Sequence, residues 1–158
     1  MLPICGIPLV ERAYKILKMS RCDKVMVATD IEDLLKNPDI YTIHRPERLN
    51  GDDISVREVV KWIAKPFSLL GYEIVVVLFA TNPRITYEEI DFAIEMIEKK
   101  KCEIVRSYCY GEENGLYVMT INKAIGGYDA YTGMIYSSGR EIHTEKDYEI
   151  VKRSWQDE

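Results

Sequence analysis

The feature that most constrains the fold is an uninterrupted apolar run from Ile74 to Phe79, within the stretch EIVVVLFATNPRIT. The run is rich in β-branched residues and has no polar alternation, which is typical of a central strand of a parallel sheet, with both faces covered. Pro83 cannot continue a strand ladder. In open α/β sheets, ligands bind beyond the carboxyl ends of such strands. We therefore expect Thr81 and Asn82 to contact a ligand, although both also suit a strand-to-helix turn.

Strand and helix patterns alternate along the rest of the chain. Strand patterns lie at residues 24–29, 39–44, 103–109 and 116–120, and helix patterns at 8–19, 31–36, 55–64, 87–100, 122–125 and 145–155. Pro66 is expected to interrupt the third helix, and residues 128–138 are expected to be irregular. The alternation predicts βαβ units and a mostly parallel sheet in a single α/β domain spanning residues 1–158.

Charge, apolar run length and cysteine usage argue against several functional classes. The net charge of -5 disfavours nucleic acid as a partner. No apolar run approaches the roughly 20 residues that span a bilayer, and no basic region precedes the apolar N-terminal residues, so we expect no membrane partner. The four cysteines form no C-x-x-C pair. They predict free thiols in a reducing, cytoplasmic compartment and make zinc unlikely as a cofactor.

Six short motifs resemble, in their order, those of the N-acylneuraminate (sialic acid) cytidylyltransferase family. They are G-x-P-L-[IV] at 6–10, V-[AS]-T-D at 27–30, R-P-x-x-L-x-x-D with a following serine at 45–55, an altered L-Q-P-T-S-P at 78–83, Asn-Gly-Leu-Tyr at 114–117, which resembles N-G-x-x-Y, and an altered D-I-D-T-x-x-D at 141–147. Each motif alone is a weak signal. Their order over nearly the whole chain makes the resemblance specific.

The resemblance implies a three-layer, Rossmann-like nucleotidyltransferase fold of the nucleotide-diphospho-sugar transferase type. It also implies a reaction in which a hydroxyl of an acidic sugar joins the α-phosphate of CTP, with Mg²⁺ and loss of pyrophosphate, and it allows for a homodimer. Such chemistry depends on positioning and on offsetting phosphate charge. No catalytic residue is assigned. The implied nucleotide or substrate contacts are Asp30, Arg45, Asp52, Ser55, Thr81, Asn82, Asn114 and Gly115, and the implied metal ligands are Glu141 and His143.

Several of these residues also fit plainer roles. Arg45 can be a surface residue that pairs with Glu47 or Asp52, and Asp30 can cap the helix pattern at 31–36. Asn114 and Gly115 suit a hairpin turn. His143, next to a helix start, can make a structural hydrogen bond.

The sequence departs from the family pattern in ways that bear on activity. In the family, a strand and a phosphate-binding loop precede G-x-P-L, whereas Met1 lies only five residues before Gly6. Phe79 replaces a glutamine, and His143 replaces an aspartate although histidine is a poor ligand for Mg²⁺. We therefore expect a CTP-dependent cytidylyltransferase that is weak or inactive as this chain. The alternative is a non-catalytic relative that binds a nucleotide or a protein.

Overall fold

The computed structural model describes residues 2–51, 53–126 and 131–156. Its elements are β1 (Pro3–Ile4), β2 (Ile7–Pro8), α1 (Leu9–Met19), β3 (Val27–Thr29), α2 (Glu32–Leu35), β4 (Thr42–His44), a 3-10 turn (Glu47–Leu49), α3 (Val56–Leu69), β5 (Ile74–Leu78), α4 (Tyr87–Glu98), β6 (Ile104–Cys109), β7 (Glu112–Thr120), α5 (Ile121–Ile125), β8 (Thr132–Tyr136) and α6 (Glu145–Gln156). Within these residues, every helix falls short of the length and apolar character needed to cross a membrane.

The main sheet has four strands in the order β5-β7-β6-β8. Strand β7 runs antiparallel to both β5 and β6, and β8 runs parallel to β6. Three of the four strands therefore share one direction and β7 opposes them. Strands β3 and β4 form a separate parallel pair, and β1 and β2 form a small hairpin.

Helices cover both faces of β5, because successive side chains of a strand point to opposite faces. Ile74, Val76 and Leu78 pack against the cluster built on α4. Val75 and Val77 pack on the other side, against the cluster formed by α3 and α5. This arrangement of helix, sheet and helix is the predicted three-layer α/β architecture.

The position of β5 within the sheet differs from the expectation of a central strand. Among the described residues it pairs with β7 alone and forms one end of the main sheet. All five of its residues are half-buried. The apolar run of β5 indicates that helices cover both faces of the strand. It does not indicate whether neighbouring strands pair with both of its backbone edges.

The predicted helix starts of α4 and α6 are confirmed. Thr86 accepts a hydrogen bond from the Glu89 backbone, and the Glu89 carboxylate accepts one from the Thr86 backbone. Thr144 and Asp147 make the same reciprocal bonds at the start of α6. Such reciprocal hydrogen bonds, called capping boxes, satisfy backbone N–H groups that would otherwise be unpaired at the start of a helix.

Two predictions about helices were wrong. Asp30 does not cap α2, whose first flanking residue is Ile31 and has no side-chain cap. The third helix does not stop before Pro66 but runs on to Leu69. The ring of Phe67 packs edge-on against Tyr72 with centroids 5.2 Å apart. We attribute the continuation to such packing, which offsets the backbone hydrogen bond that proline removes.

The C-terminal third contains two further corrections. The hairpin turn lies at Tyr110 and Gly111, whose φ angles are both positive, so Asn114 and Gly115 fall inside β7. Residues 132–136, expected to be irregular, form β8. Residues 128–130, the first part of the stretch 128–138 that was expected to be irregular, lie outside the described residues.

Candidate functional site

Arg45 and Asp30 meet where β3 and β4 end. The Arg45 backbone donates to the Thr29 carbonyl at 2.9 Å, which fixes the start of its side chain. Its Nη2 donates to Asp30 Oδ1 at 2.6 Å, and this hydrogen bond lowers the pKa of Asp30. Only 27% of the Arg45 side chain is exposed. Among the described residues its Nε has no hydrogen-bond acceptor although it is buried. The pair is thus a positioned, half-buried cation with unused donor capacity.

A second polar group lies just beyond β5. The hydroxyl of Thr81 donates to Glu141 Oε1 at 2.7 Å, and its carbonyl accepts from the Ile142 backbone at 2.8 Å. The Glu141 side chain is only 10% exposed. His143 Nε2 lies 3.7 Å from Glu141 Oε2, and its side chain is 62% exposed. The structure therefore brings Thr81 together with Glu141 and His143, although Thr81 and Glu141 lie 60 positions apart in sequence.

A buried hydrogen-bond network of side-chain amides, the amide network, supports this edge of the sheet. Nδ2 of Asn82 donates to the Asn114 carbonyl at 2.5 Å, and Nδ2 of Asn114 donates to the Gly139 carbonyl at 2.6 Å. The Ser107 hydroxyl donates to Asn114 Oδ1. Asn82 and Asn114 are 0% and 2% exposed. Their amides hold the ends of β5 and β7 against residue 139, and direct ligand contact by either stays a prediction.

Gly115 contributes conformation rather than a functional group. Its φ of +83° lies in the left-handed region, and an added Cβ would lie 2.9 Å from Cβ of Phe79. The lack of a side chain lets β7 pass closely beside Phe79. The Asn114-Gly115 pair therefore reflects this close approach of β7 to Phe79. It does not form the hairpin turn that an Asn-Gly pair usually indicates.

Ser55 and Asp52 complete the set of predicted contacts. Ser55 caps α3, since its hydroxyl accepts from the Glu58 backbone at 3.4 Å. Asp52 lies outside the described residues. A ligand contact by either residue stays a prediction. Across the described ranges, no hydrogen bond or ion pair joins the Arg45 group to the Thr81 group.

The predicted metal ligands do not by themselves form a magnesium site. Residues 2–51, 53–126 and 131–156 contain no group of three or more His, Cys, Asp or Glu side chains placed to hold a metal ion. Glu141 supplies one carboxylate, which suits Mg²⁺, but the imidazole of His143 does not. The donor set therefore does not fit this hard cation without oxygen ligands from elsewhere.

Sequence reasoning missed a cavity of about 490 Å³ between the sheet and the helices α3 and α5. It extends along β5 to Phe79, just past the carboxyl end of that strand. Its cationic lining residues are Arg57, Arg106 and Lys123, and Tyr117 adds an aromatic wall with its ring centroid 5.6 Å from that of Phe79. The basic residues come from three separate elements, so no local sequence pattern marks them.

Glu113 organises the polar wall of this cavity. One carboxylate oxygen accepts from Arg106 at 2.5 Å and from the Tyr108 hydroxyl, and the other accepts from the Tyr117 hydroxyl at 2.7 Å. Burial alone raises the pKa of Glu113, but the bonds from Tyr117 and Arg106 outweigh it and leave that pKa below its ordinary value. Burial, together with the bond to Glu113, raises the pKa of Tyr117. The carboxylate is therefore ionised and the phenol neutral at neutral pH.

Comparison with known families gives one match over most of the chain. The sequence model of a family described as "Cytidylyltransferase" matches residues 1–144. No curated protein matches the sequence. The family model does not single out the N-acylneuraminate branch, so that narrower resemblance stays a prediction.

Solved structures of several nucleotidyltransferases resemble this fold. A 4-diphosphocytidyl-2C-methyl-D-erythritol synthase from Anaerococcus prevotii is 12% identical, with a TM-score of 0.73 over 98% of this chain and 88% of its own. A CMP:2-keto-3-deoxy-manno-octonic acid synthetase complexed with CTP is 11% identical, with a TM-score of 0.72 over 99% of this chain and 90% of its own. A cytidylyltransferase from Leptospira borgpetersenii is 14% identical, with a TM-score of 0.63 over 96% and 76%. At these identities the likeness shows the fold alone, and it confirms the predicted nucleotidyltransferase fold.

Proposed function

Because this chain belongs to the cytidylyltransferase family, we propose that it transfers the cytidylyl group of CTP to a hydroxyl of an acidic sugar. In this reaction the hydroxyl oxygen bonds to the α-phosphorus of CTP and loses its proton. The bond from that phosphorus to the oxygen bridging to the β-phosphate breaks, and pyrophosphate leaves. The protein's task is to align the two substrates and to offset phosphate charge.

The observation that carries the proposal is the positioned cation at the carboxyl ends of β3 and β4. Arg45 is half-buried, held by Asp30, and its Nε has no acceptor among the described residues. Ligands of open α/β sheets bind at this edge, and a guanidinium suits the oxygens of a nucleotide. We assign Arg45 to the nucleotide, with Thr81 at the neighbouring strand end.

The cavity beside Phe79 supports an acidic sugar as the second substrate. Its volume of about 490 Å³ lies in the range of small-molecule pockets. Arg57, Arg106 and Lys123 line it together with Glu113. Basic side chains of this kind can donate hydrogen bonds to the carboxylate of an acidic sugar, and the Tyr117 ring offers a face for a sugar ring.

Mg²⁺ belongs to the proposal only through the family resemblance. Glu141 is the described residue that would hold it, together with substrate phosphate oxygens, and the ion would offset the charge of those phosphates. Since the protein donors alone do not fit the ion, no step of the reaction is derived through it. A cytoplasmic location and a homodimer likewise stay predictions.

Pyrophosphate release tests the proposal. The chain is incubated with CTP, a nonulosonic acid and Mg²⁺, and released pyrophosphate is measured in a coupled phosphate assay. We expect slow release that needs both substrates and that falls in Arg106→Ala more than in Arg153→Ala, a basic residue on the exposed surface of α6. Release that is equal without the sugar acid, or equal in the two variants, would contradict the proposed acceptor site.

His143 favours a second candidate, a relative that binds nucleotide without transferring it. An imidazole stands where the family resemblance implies a second metal carboxylate, and it lies 3.7 Å from Glu141. CTP binding without any pyrophosphate release would support this candidate. His143→Asp separates the two further, because restored release would show that this position limits activity.

A further inference from the structure

Arg106, in the cavity beside Phe79, has a hydrogen-bond donor that no described residue uses. Its side chain is 37% exposed and lines the cavity. Its Nη1 donates to Glu113 Oε1 at 2.5 Å, whereas its Nε is buried and has no acceptor among the described residues. Because buried donors of folded proteins almost always have an acceptor, this N–H is suited to an oxygen of a ligand.

Glu113 holds the Arg106 guanidinium in place and is itself held by two tyrosines. The Tyr108 hydroxyl donates to the same carboxylate oxygen as Arg106, at 3.2 Å, and the Tyr117 hydroxyl donates to the other oxygen at 2.7 Å. Since both oxygens are engaged, the carboxylate cannot turn away without losing hydrogen bonds. The Arg106 Cζ also lies 6.0 Å from the centroid of the Tyr117 ring, at the outer limit of a cation–π contact. An ion pair and an aromatic ring therefore restrain Arg106 together.

A register shift between β6 and β7 brings Glu113 to this position. Arg106 lies opposite Tyr117, and a regular antiparallel ladder would then place Gly115 opposite Tyr108. The structure places Glu113 opposite Tyr108 instead. Such irregularities often redirect a side chain next to a functional site. Here the shift places the Glu113 carboxylate within reach of Arg106.

Orientation explains this ion pair better than stability or charge does. A partly buried pair of this kind contributes little net stability, because both charges lose water. Glu113 also offsets the charge of Arg106, so a site that depended on charge alone would bind an anion better without it. A guanidinium, unlike an ammonium group, binds a carboxylate through N–H groups of fixed direction. A residue that fixes this direction therefore favours binding of a carboxylate although it reduces the net positive charge.

We propose that Glu113 is a positioning residue, which orients Arg106 so that the remaining N–H groups of the guanidinium bind the carboxylate of the acceptor sugar. The inference rests on the proposed function for the identity of that acceptor. It assigns the carboxylate to Arg106 among the three basic residues of the cavity. The other two, Arg57 and Lys123, have interaction partners of their own.

Binding of two matched probes tests the proposal. The probes are N-acetylneuraminic acid and its methyl ester, which differ only at the carboxylate. Their dissociation constants are measured by NMR titration of the 158-residue chain in the presence of CMP. We expect the acid to bind about tenfold more tightly than the ester, or better. The Arg106 Nε–H resonance should shift downfield with the acid and not with the ester.

Glu113→Gln separates orientation from charge. If Glu113 positions Arg106, this variant binds the acid about tenfold more weakly than wild type and binds the ester equally well. A merely structural role would weaken the binding of both probes alike, and a role of charge alone would leave acid binding equal or tighter. Either result would overturn the proposal. Glu112→Gln, the same change at the exposed neighbouring residue, is the control and should bind both probes as wild type does.

Arg106→Lys tests the same contact even if Glu113→Gln does not fold. It keeps the positive charge but lacks the Nε–H group, so we expect the same selective loss of acid binding. Wild-type affinity of Arg106→Lys for the acid would overturn the proposal. Equal affinities of the wild-type chain for the two probes, or no binding of either probe, would overturn it as well.

The result is separable from the transfer reaction. A preference for the acid that is lost in Glu113→Gln, without any pyrophosphate release by the wild-type chain, would contradict the proposed reaction alone. Pyrophosphate release together with an unchanged preference in Glu113→Gln would contradict the positioning role alone.

Discussion

Arg45 donates a 2.6 Å hydrogen bond to Asp30 across the carboxyl ends of the parallel strands β3 and β4. The two residues are 15 positions apart and meet because β3 and β4 pair in register, with Thr29 beside His44. Asp30 holds the guanidinium at the edge of the sheet, and the hydrogen bond from Arg45 lowers the pKa of Asp30. The interaction therefore carries a pH dependence.

The Asp30–Arg45 pair should stabilise the fold at neutral pH and lose its effect in acid. The pKa of Asp30 is lower in the folded than in the unfolded state, so its contribution is present above the unfolded value of about 3.9 and disappears as the pH falls through the folded value. We expect Asp30→Asn to lower the unfolding midpoint at pH 7 by a small amount, because the pair is partly exposed. The difference from wild type should shrink as the pH falls below the unfolded value, because Asp30 then becomes protonated in the folded state as well. Asp33→Asn, in the exposed part of α2, is the control, and a pH-independent difference for Asp30→Asn would contradict the pairing.

Disrupting the buried amide network of Asn82 and Asn114 should destabilise the fold. Asn82→Ala removes the donor to the Asn114 carbonyl and leaves buried polar groups unsatisfied, at a cost of about 1–3 kcal/mol in the free energy of unfolding. Asn122→Ala, at an exposed position of α5, should change it by less than about 0.5 kcal/mol. Denaturant unfolding measures both. Equal effects of the two substitutions would show that the amide network is not formed in solution.

Gly115 should not tolerate a side chain. Gly115→Ala forces a residue with Cβ into a φ of +83° and brings that Cβ to 2.9 Å from Cβ of Phe79, so we expect a loss of about 1–3 kcal/mol. The comparison variant is Gly126→Ala, where no heavy atom lies within 4 Å of an added Cβ. Thermal unfolding of the two variants is the measurement. A Gly115→Ala protein as stable as wild type would show that β7 does not pass so close to Phe79.

Val76 reports on the packing of β5. Val76→Ala should cost about 1–3 kcal/mol, as large-to-small changes in cores do, and toward the lower end because β5 is half-buried. Val56→Ala, 46% exposed at the start of α3, is the matched control and should cost less. An unchanged denaturant midpoint for Val76→Ala would mean that β5 is not part of the core.

The sequence was informative wherever a local pattern determines the structure. The reciprocal bonds of Thr86 with Glu89 and of Thr144 with Asp147 depend on residues three positions apart, and such pairs can be read directly. The strand β5 was visible because helices cover both of its faces. By contrast, β8 combines Gly133 with exposed Tyr136, a pattern that resembles a loop when its pairing with β6 is not known.

The candidate site was less predictable because its contacts join distant segments. The alternative role considered for Arg45 was pairing with Glu47 or Asp52, yet its partner is Asp30, which directly follows the other strand, β3. The Asn82 amide donates a hydrogen bond to the backbone carbonyl of Asn114. Because every residue has a backbone carbonyl, the sequence does not identify this acceptor. Arg106 and Glu113 face each other across β6 and β7 through a register shift that no short motif encodes.

The central claim, that this cytidylyltransferase-family chain binds a cytidine nucleotide at the edge held by Arg45, is tested most directly by calorimetry of CTP binding. Arg45→Ala removes charge-assisted hydrogen bonds worth about 1.5–3 kcal/mol, so we expect its affinity for CTP to fall about 10- to 100-fold with a nearly unchanged unfolding midpoint. Arg48→Ala, an exposed residue in the neighbouring 3-10 turn, should bind CTP as wild type does. Equal affinities of Arg45→Ala and wild type, or no CTP binding by the wild-type chain, would contradict the account.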